Sequence, residues 1–253
     1  MTATTYTSVV PGKFTHVTPG ARTEFTNVDA VADPFAVTGE DAVVDWVFVE
    51  LRSKADSTTV LATRSGLLQR DGDVAEMDGI WGLRFPGVSI DDYYVVVRHR
   101  NHLGVMTALP KTARQLAELV DFSVIETGFY DFATNRNIQD YTGLAQKYDP
   151  FNLVYTMWGG DFDLNKKVKF DNPGDDLNTL FFEVFAYPGN TTGNANFDFA
   201  YGYLQGDFDM NSKSKFDNPN DDKNILFFQV FTYPLNLQGF SSFDFIIEQV
   251  PND

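Results

Sequence analysis

The amino-acid sequence predicts a mainly β protein with short helices, in which an Ig-like or prealbumin-like β-sandwich precedes a region of repeated strand–loop–helix units. Two observations predict this architecture. The first half of the 253-residue chain contains short β-branched and aromatic stretches separated by turn residues, a pattern typical of a β-sandwich. In the second half, 21 of 29 residues are identical between segments 160–188 and 206–234, at an offset of 46 residues. Such a repeat indicates two copies of one supersecondary unit.

These patterns divide the chain into four parts. Residues 1–24 form a predicted N-terminal arm, residues 25–125 the sandwich, residues 126–149 a connecting segment, and residues 150–253 the tandem repeat domain. Within the arm, the stretch Thr4–Val10 is strand-prone. We interpret it as an extended edge strand or a disordered tail, and the alternative is a strand donated to a neighbouring subunit.

The strands of the sandwich are predicted between turn signals such as Asp71-Gly72 and Pro86-Gly87. β-Branched and aromatic residues favour extended structure, whereas Gly, Pro and Asp interrupt it. On this basis the predicted strands are 43–52, 59–64, 66–70, 82–85 and 93–99.

Each repeat is predicted to contain a strand followed, after a loop, by a helix. Apolar residues alternate in 151–157 and in 197–203, as expected of strands with one buried face, and a third such stretch is 243–247. After each loop, 176–187 and 222–233 carry apolar residues at helical spacing, and a proline follows each segment. Their content of Phe and Val leaves a strand as the competing interpretation of these two segments.

The loop of each repeat carries oxygen side chains at alternate positions. In the first repeat, Asp161, Asp163 and Asn165 occupy positions 1, 3 and 5, and the backbone carbonyl of Lys167 is the candidate at position 7. This spacing can turn several oxygens of a tight loop towards one hard cation, and Ca²⁺ takes about six to eight oxygen ligands. The second repeat presents the same pattern in Asp207, Asp209, Asn211 and Lys213.

An acidic residue at the start of each helix is predicted to complete each site. Position 12, where an EF-hand places a bidentate acid, is Asn172 or Asn218. Asp176 and Asp222 are therefore the candidate closing ligands, after a short insertion. The second-rank candidates are Asp171, Asp175, Asp217 and Asp221.

The donor set of the two loops predicts the metal. We expect two Ca²⁺ ions, because Mg²⁺ prefers a strict octahedron that keeps several waters, and Zn²⁺ prefers His and Cys ligands. The alternative interpretation is that both loops are solvated acidic turns whose aspartates cap the helices that follow.

Composition excludes several functional classes. The chain has 19 Lys and Arg against 35 Asp and Glu, a net charge of −16 at pH 7, whereas phosphate binding needs clustered cations. Nucleic acid is therefore not an expected partner. No apolar run approaches the ~20 residues of a spanning helix, so no membrane insertion is expected. The chain has no Cys, which excludes disulfides and thiolate chemistry, and it contains no catalytic motif, so we expect no enzymatic activity.

Three further groups have weaker signals. Trp81 and Trp158 lie beside loops and are candidates for a sugar-binding platform. His99 and His102 are interpreted as a polar strand end, because no further zinc ligands are apparent. An acidic loop is interpreted as a hairpin turn, with a third cation site as the alternative; its acids are Asp71, Asp73, Glu76 and Asp78.

The acidic loops resemble, in a lengthened form, the calcium loops of dockerins and of thrombospondin type 3 repeats. Residues 42–253 are also similar to C-terminal regions of large secreted surface proteins of the Bacteroidetes (Saprospiraceae-like). The phrases that carry this similarity are VDWVFVELR (44–52), LATRSGLLQRDGDV (61–74), FPGVSIDDYYVVVRHRNHLGVM (85–106), GYLQGDFDMN (202–211) and DNPNDDKN (217–224).

The resemblance implies a secreted, extracellular module at the cell surface, with an adhesin-like or scaffold role, a β-sandwich and a calcium-binding tail. The expected partners are a second copy of the chain, another surface protein or a glycan. Nothing in the Phe-rich helices matches the surface by which dockerins bind cohesins. We therefore expect a calcium-stabilised structural or adhesion module, with filament assembly through the N-terminal arm as one form of it. The alternative is a carbohydrate- or protein-binding module of a secreted multidomain protein.

Overall fold

The computed structural model describes residues 37–76, 82–113, 119–132, 143–171, 173–217 and 221–251. The chain divides into two units. The first consists of Met1–His99, Leu109–Val120 and Pro251–Asp253, and the second of Arg100–Ala108 and Asp121–Val250. The predicted arm with its stretch Thr4–Val10 lies outside the described residues.

The secondary-structure elements are numbered in chain order. The strands are β1 (Val43–Ser53), β2 (Val60–Gln69), β3 (Val74–Ala75), β4 (Asp92–Arg98), β5 (Val105–Met106), β6 (Lys111–Thr112), β7 (Lys147–Asp149), β8 (Val154–Thr156), β9 (Lys167–Val168) and β10 (Ile246–Ile247). The helices of the repeat region are α1 (Asp176–Phe185) and α2 (Asp222–Phe231).

An antiparallel sheet forms the first unit around its central strand, β1. This strand pairs with β2 along one side and with β4 along the other. Strand β3 extends the sheet beyond β2, and β6 pairs with β4. Val47, Phe48, Val49 and Leu51 of β1 are all buried. Because successive side chains of a strand point to opposite faces, β1 is covered on both of its faces.

Two arginine side chains hold Glu50 in the middle of β1. Arg52 Nη2 lies 2.6 Å from Glu50 Oε2, and Arg98 Nε, on β4, lies 2.6 Å from Glu50 Oε1. Burial raises the pKa of Glu50, but the two guanidinium groups more than offset this effect, so the pKa lies below its usual range. The carboxylate is therefore a paired buried charge, which avoids the cost of an isolated one.

The first unit differs from the predicted sandwich. The segments predicted as separate strands at 59–64 and 66–70 form one strand, β2, because the ladder with β1 continues without a break through Ser65 and Gly66. Residues 82–85 form no strand. In the described part of this unit all strands belong to one sheet, so a sandwich of two sheets is not confirmed.

The core of the second unit is formed largely by the two helices of the repeats. Helix α1 contributes Leu180 and Val184, helix α2 contributes the equivalent Leu226 and Val230, and all four side chains are fully buried. Around them pack Leu103, Trp158, Val168, Phe208, Tyr233 and Ile246. The residues at helical spacing thus share one buried face, and the helical interpretation of both segments is confirmed.

Each helix begins at one aspartate and is capped by the aspartate before it. Asp175 Oδ1 accepts a hydrogen bond from Asn178 N at 2.7 Å, and Asp221 Oδ1 accepts one from Asn224 N at 2.6 Å. This is the usual N-cap bond, which satisfies an amide that has no partner within the helix. Within the part of the chain that the structure describes, neither these helices nor any other is long and apolar enough to cross a membrane.

The predicted strands of the repeats are only partly observed. Within 151–157, strand β8 pairs with β7, and within 243–247, strand β10 pairs with β9. The prediction of a strand at 197–203 is wrong: this stretch makes only an isolated bridge between Tyr201 and Lys213. Its backbone instead forms local turn bonds, such as those from Tyr201 N to the Phe199 carbonyl and from Leu204 N to the Gly202 carbonyl, both 3.0 Å.

The stretches that follow the two helices pair with the acidic loops in a reciprocal arrangement. The stretch after α1 pairs with the second loop, and the stretch after α2 pairs with the first loop. Tyr201, in the stretch that follows α1, forms its bridge with Lys213 in the second loop. Ile247, in the stretch that follows α2, pairs with Lys167 in the first loop. The positions 201 and 247, and likewise 167 and 213, differ by the 46-residue offset of the repeat.

Aromatic contacts also join the helix of each repeat to the loop of the other repeat. Phe181 of α1 packs edge-on against Phe216, which follows the second loop, with ring centroids 5.1 Å apart. Phe227 of α2 packs edge-on against Phe170, which follows the first loop, at 5.0 Å. Each acidic loop is therefore supported by the helix of the opposite copy.

Candidate metal centres

Three aspartates converge in each acidic loop. Asp161, Asp163 and Asp176 each offer a carboxylate oxygen, and these oxygens lie within 4.8 Å of one another. The equivalent residues Asp207, Asp209 and Asp222 form a second cluster of the same kind. The structure therefore brings together the predicted acids at positions 1 and 3 of each loop and the predicted closing acid at the helix start. Both clusters could hold a metal ion.

Left-handed backbone conformations fold the two loops in the same way. In the first loop, Leu164 and Lys166 have φ of 61° and 69°, and in the second loop Met210 and Ser212 have φ of 59° and 68°. Residues other than glycine adopt this region at a cost in free energy. The alternation of left-handed residues in both copies makes each loop a tight turn around its carboxylates.

The closing aspartates connect each loop to its helix through backbone amides. Asp176 is fully buried; its Oδ1 accepts a hydrogen bond from Phe162 N at 2.8 Å and its Oδ2 accepts one from Lys169 N at 2.8 Å. Asp222 does the same with Phe208 N at 2.7 Å and Lys215 N at 2.8 Å. A carboxylate oxygen that accepts one amide bond keeps a further lone pair, so these groups can still bind a cation.

The predicted ligands at positions 5 and 7 lie beside the clusters and support them. Asn165 Nδ2 donates to Asp163 Oδ2 at 2.8 Å, and Asn165 Oδ1 accepts from Lys167 N at 2.9 Å. In the second loop, Asn211 Nδ2 donates to Asp209 Oδ2 at 2.9 Å. The amide groups therefore orient the exposed carboxylate of each cluster. Cation binding by Asn165, Asn211 and the carbonyls of Lys167 and Lys213 stays a prediction.

The second-rank acids have other partners. Asp175 and Asp221 are the N-caps described above. Asp171 accepts a hydrogen bond from Ser241 Oγ at 3.3 Å, and Asp217 accepts one from Lys223 Nζ at 3.0 Å. None of these four belongs to the two clusters.

The surroundings of the first cluster oppose the ionisation of its buried carboxyl groups. Asp161 is only 3% exposed, and its buried Oδ1 has no hydrogen-bond partner in the part of the chain that the structure describes. Burial raises the pKa of Asp161 to about 8, and the charges of Asp176, Asp163 and Glu248 add to the rise. Burial also raises the pKa of Asp176 to about 7. A buried acceptor of this kind is rare in proteins and indicates a missing partner.

The second cluster has an additional cation in its surroundings. Burial raises the pKa of Asp222 to about 8, and it raises the pKa of Asp207 to about 6 while Arg100 opposes the rise. Arg100 Nη2 lies 3.4 Å from Asp207 Oδ2. The sequence interpretation overlooked Arg100, because it lies 107 positions before Asp207. Its one sequence signal is its place in the polar segment between His99 and His102.

The remaining candidates are not supported as sites. Trp158 is buried, and its Nε1 donates to the Leu144 carbonyl at 2.9 Å, so the prediction that it offers a platform to sugars is wrong. Trp81 lies outside the described residues. In the acidic hairpin, Asp71 Oδ1 accepts from Asp73 N at 3.1 Å, as in a turn, and Glu76 pairs with Arg64 at 2.7 Å. Asp78 is not among the described residues.

Comparisons of the chain with protein-family models, with curated proteins and with solved structures found no match. The two aspartate clusters and the surfaces around them are therefore the basis for inferring a function.

Proposed function

We propose that this protein is an extracellular structural or adhesion module of a bacterial surface protein and that two Ca²⁺ ions, one in each acidic loop, stabilise its repeat region. The observation that carries the proposal is the buried Asp161 Oδ1, which has no hydrogen-bond partner among the described residues and lies in a cluster of three carboxylates. Without a cation, this cluster brings like charges together in a site of low exposure, which is unfavourable.

The chemistry of the donors favours calcium over other divalent ions. Both clusters offer only oxygen atoms from side chains, which hard cations prefer, and they contain no imidazole or thiolate that would select zinc. Loops of this kind accept an irregular set of about six to eight oxygens, whereas Mg²⁺ demands an octahedron. The carbonyls and amide oxygens at positions 5 and 7 complete the proposed set.

A bound cation would neutralise the aspartates of each loop. It would thereby stabilise the hydrogen bonds that join each loop to the start of its helix. Asp176, the first residue of α1, accepts hydrogen bonds from two amides of the first loop, and Asp222, the first residue of α2, does the same with the second loop. The helices carry the core residues of the unit. Because an ion that binds only the folded state adds RT ln(1 + [L]/Kd), or about 2.7 kcal/mol at 100 Kd, binding would stabilise a chain that has no disulfides.

Thermal unfolding in EGTA and in millimolar CaCl₂, with calorimetric counting of bound ions, tests the metal part of the proposal. We expect two bound ions and a rise of several degrees in Tm with calcium. MgCl₂ at the same concentration serves as the ionic control and should produce a much smaller rise. An unchanged Tm together with no heat of binding would leave both loops as capped acidic turns and would contradict the proposal.

As a structural module, the protein is proposed to assemble into filaments through residues 1–24. This assembly is tested by size-exclusion chromatography and negative-stain microscopy of the full chain and of a variant that lacks residues 1–24. Assembly that disappears with the deletion supports a filament subunit. A monomer in both cases contradicts assembly through the arm.

A binding module is the second candidate, and the exposed aromatic side chains of the second unit favour it. The rings of Tyr187, Phe197, Phe199 and Tyr201 follow one another with centroid distances of 5.8, 5.9 and 6.5 Å. Phe199 and Tyr201 are more than half exposed, and exposed apolar patches mark interaction sites. Binding of soluble glycans to the full chain, lost when Phe199 and Tyr201 are replaced by Ser, would support this candidate.

A further inference from the structure

We propose that Arg100 is a resident counter-ion of the second cluster, so that the first loop binds a divalent cation more tightly than the second. The inference rests on the proposed calcium binding and states how that binding is divided between two loops of nearly identical sequence. It follows from the contacts of Arg100, from the surroundings of Asp161, and from one segment of chain that contacts both loops.

Arg100 is fixed against the second loop by several contacts. Its side chain is only 2% exposed. Nη2 lies 3.4 Å from both Asp207 Oδ2 and the Asp207 carbonyl, and Nη1 donates to the Leu204 carbonyl. The guanidinium carbon lies 4.5 Å from the centroid of the Tyr203 ring. These contacts hold the positive charge of the guanidinium group against the start of the second loop.

The first loop has a different environment at the equivalent position. Within the described residues, no Lys or Arg pairs with Asp161, and its Oδ1 has no hydrogen-bond partner. The nearby Glu248 adds negative charge, which contributes to the raised pKa of Asp161. In contrast, both carboxylate oxygens of Asp207 accept a hydrogen bond: Oδ1 from Asn211 N at 2.9 Å and Oδ2 from Ser212 N at 3.0 Å.

The difference arises because residues 100 and 101 contact both loops but present different groups to each. The Asn101 carbonyl accepts hydrogen bonds from Gly160 N at 2.9 Å and from Asp161 N at 3.2 Å, at the start of the first loop. At the second loop the same segment offers donors: Arg100, and Asn101 Nδ2, which lies 2.8 Å from the Asp207 carbonyl. A single segment from outside the repeats therefore makes the two clusters electrostatically unequal.

The positive charge of Arg100 would repel a Ca²⁺ ion bound at contact distance. The affinity of calcium loops also depends on the net charge of their ligands. A cation that enters the second cluster binds a carboxylate that already pairs with Arg100, whereas among the described residues no Lys or Arg pairs with Asp161 of the first cluster. We expect the second loop to bind Ca²⁺ about tenfold or more weakly than the first.

Calorimetric titration of the full chain with CaCl₂ tests this order of affinity. Asp207→Asn leaves the first loop intact, and Asp161→Asn leaves the second intact. We expect each variant to bind one ion, and the Asp207→Asn variant to bind it about tenfold or more tightly. Equal affinities, or tighter binding by the Asp161→Asn variant, would overturn the inference. The absence of any binding by the unaltered chain would instead refute the proposed function itself, so the two failures are distinguishable.

Substitution of Arg100 in the Asp161→Asn background tests the cause. Arg100→Met removes the charge at similar length and should tighten Ca²⁺ binding by the second loop by at least about threefold. Arg100→Lys keeps a charge and should tighten it less. Arg70→Met removes the same charge from an exposed position in the first unit and is the control for net charge. If Arg100→Met fails to fold, the comparison of the two Asn variants still decides the order of affinity; an affinity unchanged in a folded Arg100→Met protein would show that Arg100 is not the cause.

Discussion

The side-chain carbonyl of Gln229, on helix α2, accepts a hydrogen bond from the backbone amide of Gly159 at 2.9 Å, which connects the second helix to the entrance of the first acidic loop. Glu183 of α1 makes the reciprocal contacts: it accepts hydrogen bonds from Gln205 N at 2.9 Å and from Gly206 N at 2.8 Å, at the entrance of the second loop. Positions 183 and 229 differ by the 46-residue offset. Each loop is therefore held by its own closing aspartate and by the opposite helix.

Adjacent aspartates at the start of α1 should have separable roles. Asp176→Asn removes a charge from the first cluster, whereas Asp175→Asn changes the same charge one residue earlier and leaves a good N-cap residue. We expect Asp176→Asn to weaken calcium binding to the first loop by about tenfold or more, because ligand charge sets the affinity. Calorimetry measures this effect. The Asp175→Asn protein should bind as the unaltered chain does, and equal losses in the two variants would contradict the assignment of Asp176 as a ligand.

Equivalent core residues of the two helices should contribute equally to stability. Leu180 and Leu226 are both fully buried, so replacing either with Ala removes buried methyl groups and leaves a cavity. We expect each substitution to lower the free energy of unfolding by about 2–5 kcal/mol. Urea denaturation at saturating calcium measures this change. Phe182→Ala, at a side chain that is 61% exposed, is the control and should cost about 1 kcal/mol or less. A small effect at only one of the two leucines would argue against equivalent packing.

Two asparagines should stabilise the turns that follow the helices. Asn190 Nδ2 donates to the carbonyls of Val184 and Asn194, both at 2.9 Å, and Asn236 makes the matching bonds 46 positions later. Asn190→Ala removes both of these side-chain hydrogen bonds, so we expect a loss of about 1–3 kcal/mol. Thermal unfolding measures the loss. Asn236→Ala should give a similar value, and a neutral result at both positions would contradict this role.

The ion pairs of Glu50 should make the first unit sensitive to acid. Because the pKa of Glu50 is lower in the folded protein than in the unfolded chain, folding is favoured by its ionisation. This contribution is complete above the unfolded value of about 4.5 and is lost as the pH falls through the lower folded value. Denaturation with urea at several pH values between neutral and about pH 3, in EGTA, should show the fall.

Glu50→Gln separates this carboxylate from the other acids of the chain. The variant removes the buried carboxylate that pairs with Arg52 and with Arg98, so we expect a loss of about 3–5 kcal/mol at neutral pH. Its stability should also fall less between about pH 5 and pH 3 than that of the unaltered chain. A parallel pH dependence in the two proteins would show that Glu50 does not contribute.

Local sequence patterns alone predicted the acidic loops and the two helices. The spacing of Asp161 and Asp163, repeated in Asp207 and Asp209, placed the acidic loops, and the apolar period after them predicted both helices. The sequence also predicted that Asp176 and Asp222 lie with the acids of their loops, as the structure shows. These features are readable because tight turns, helix starts and helical faces are set by residues a few positions apart.

Only the tertiary structure decided how distant segments meet. Alternating apolar residues at 197–203 predicted a strand, but this stretch has no continuous strand partner among the described residues, and its backbone forms local turn bonds. In the described part of the first unit, the short strands join one sheet. The reciprocal support of the two loops and the placement of Arg100 beside Asp207 join residues far apart in the chain. Such contacts follow from packing and backbone pairing of the whole unit, which the period of a single segment does not encode.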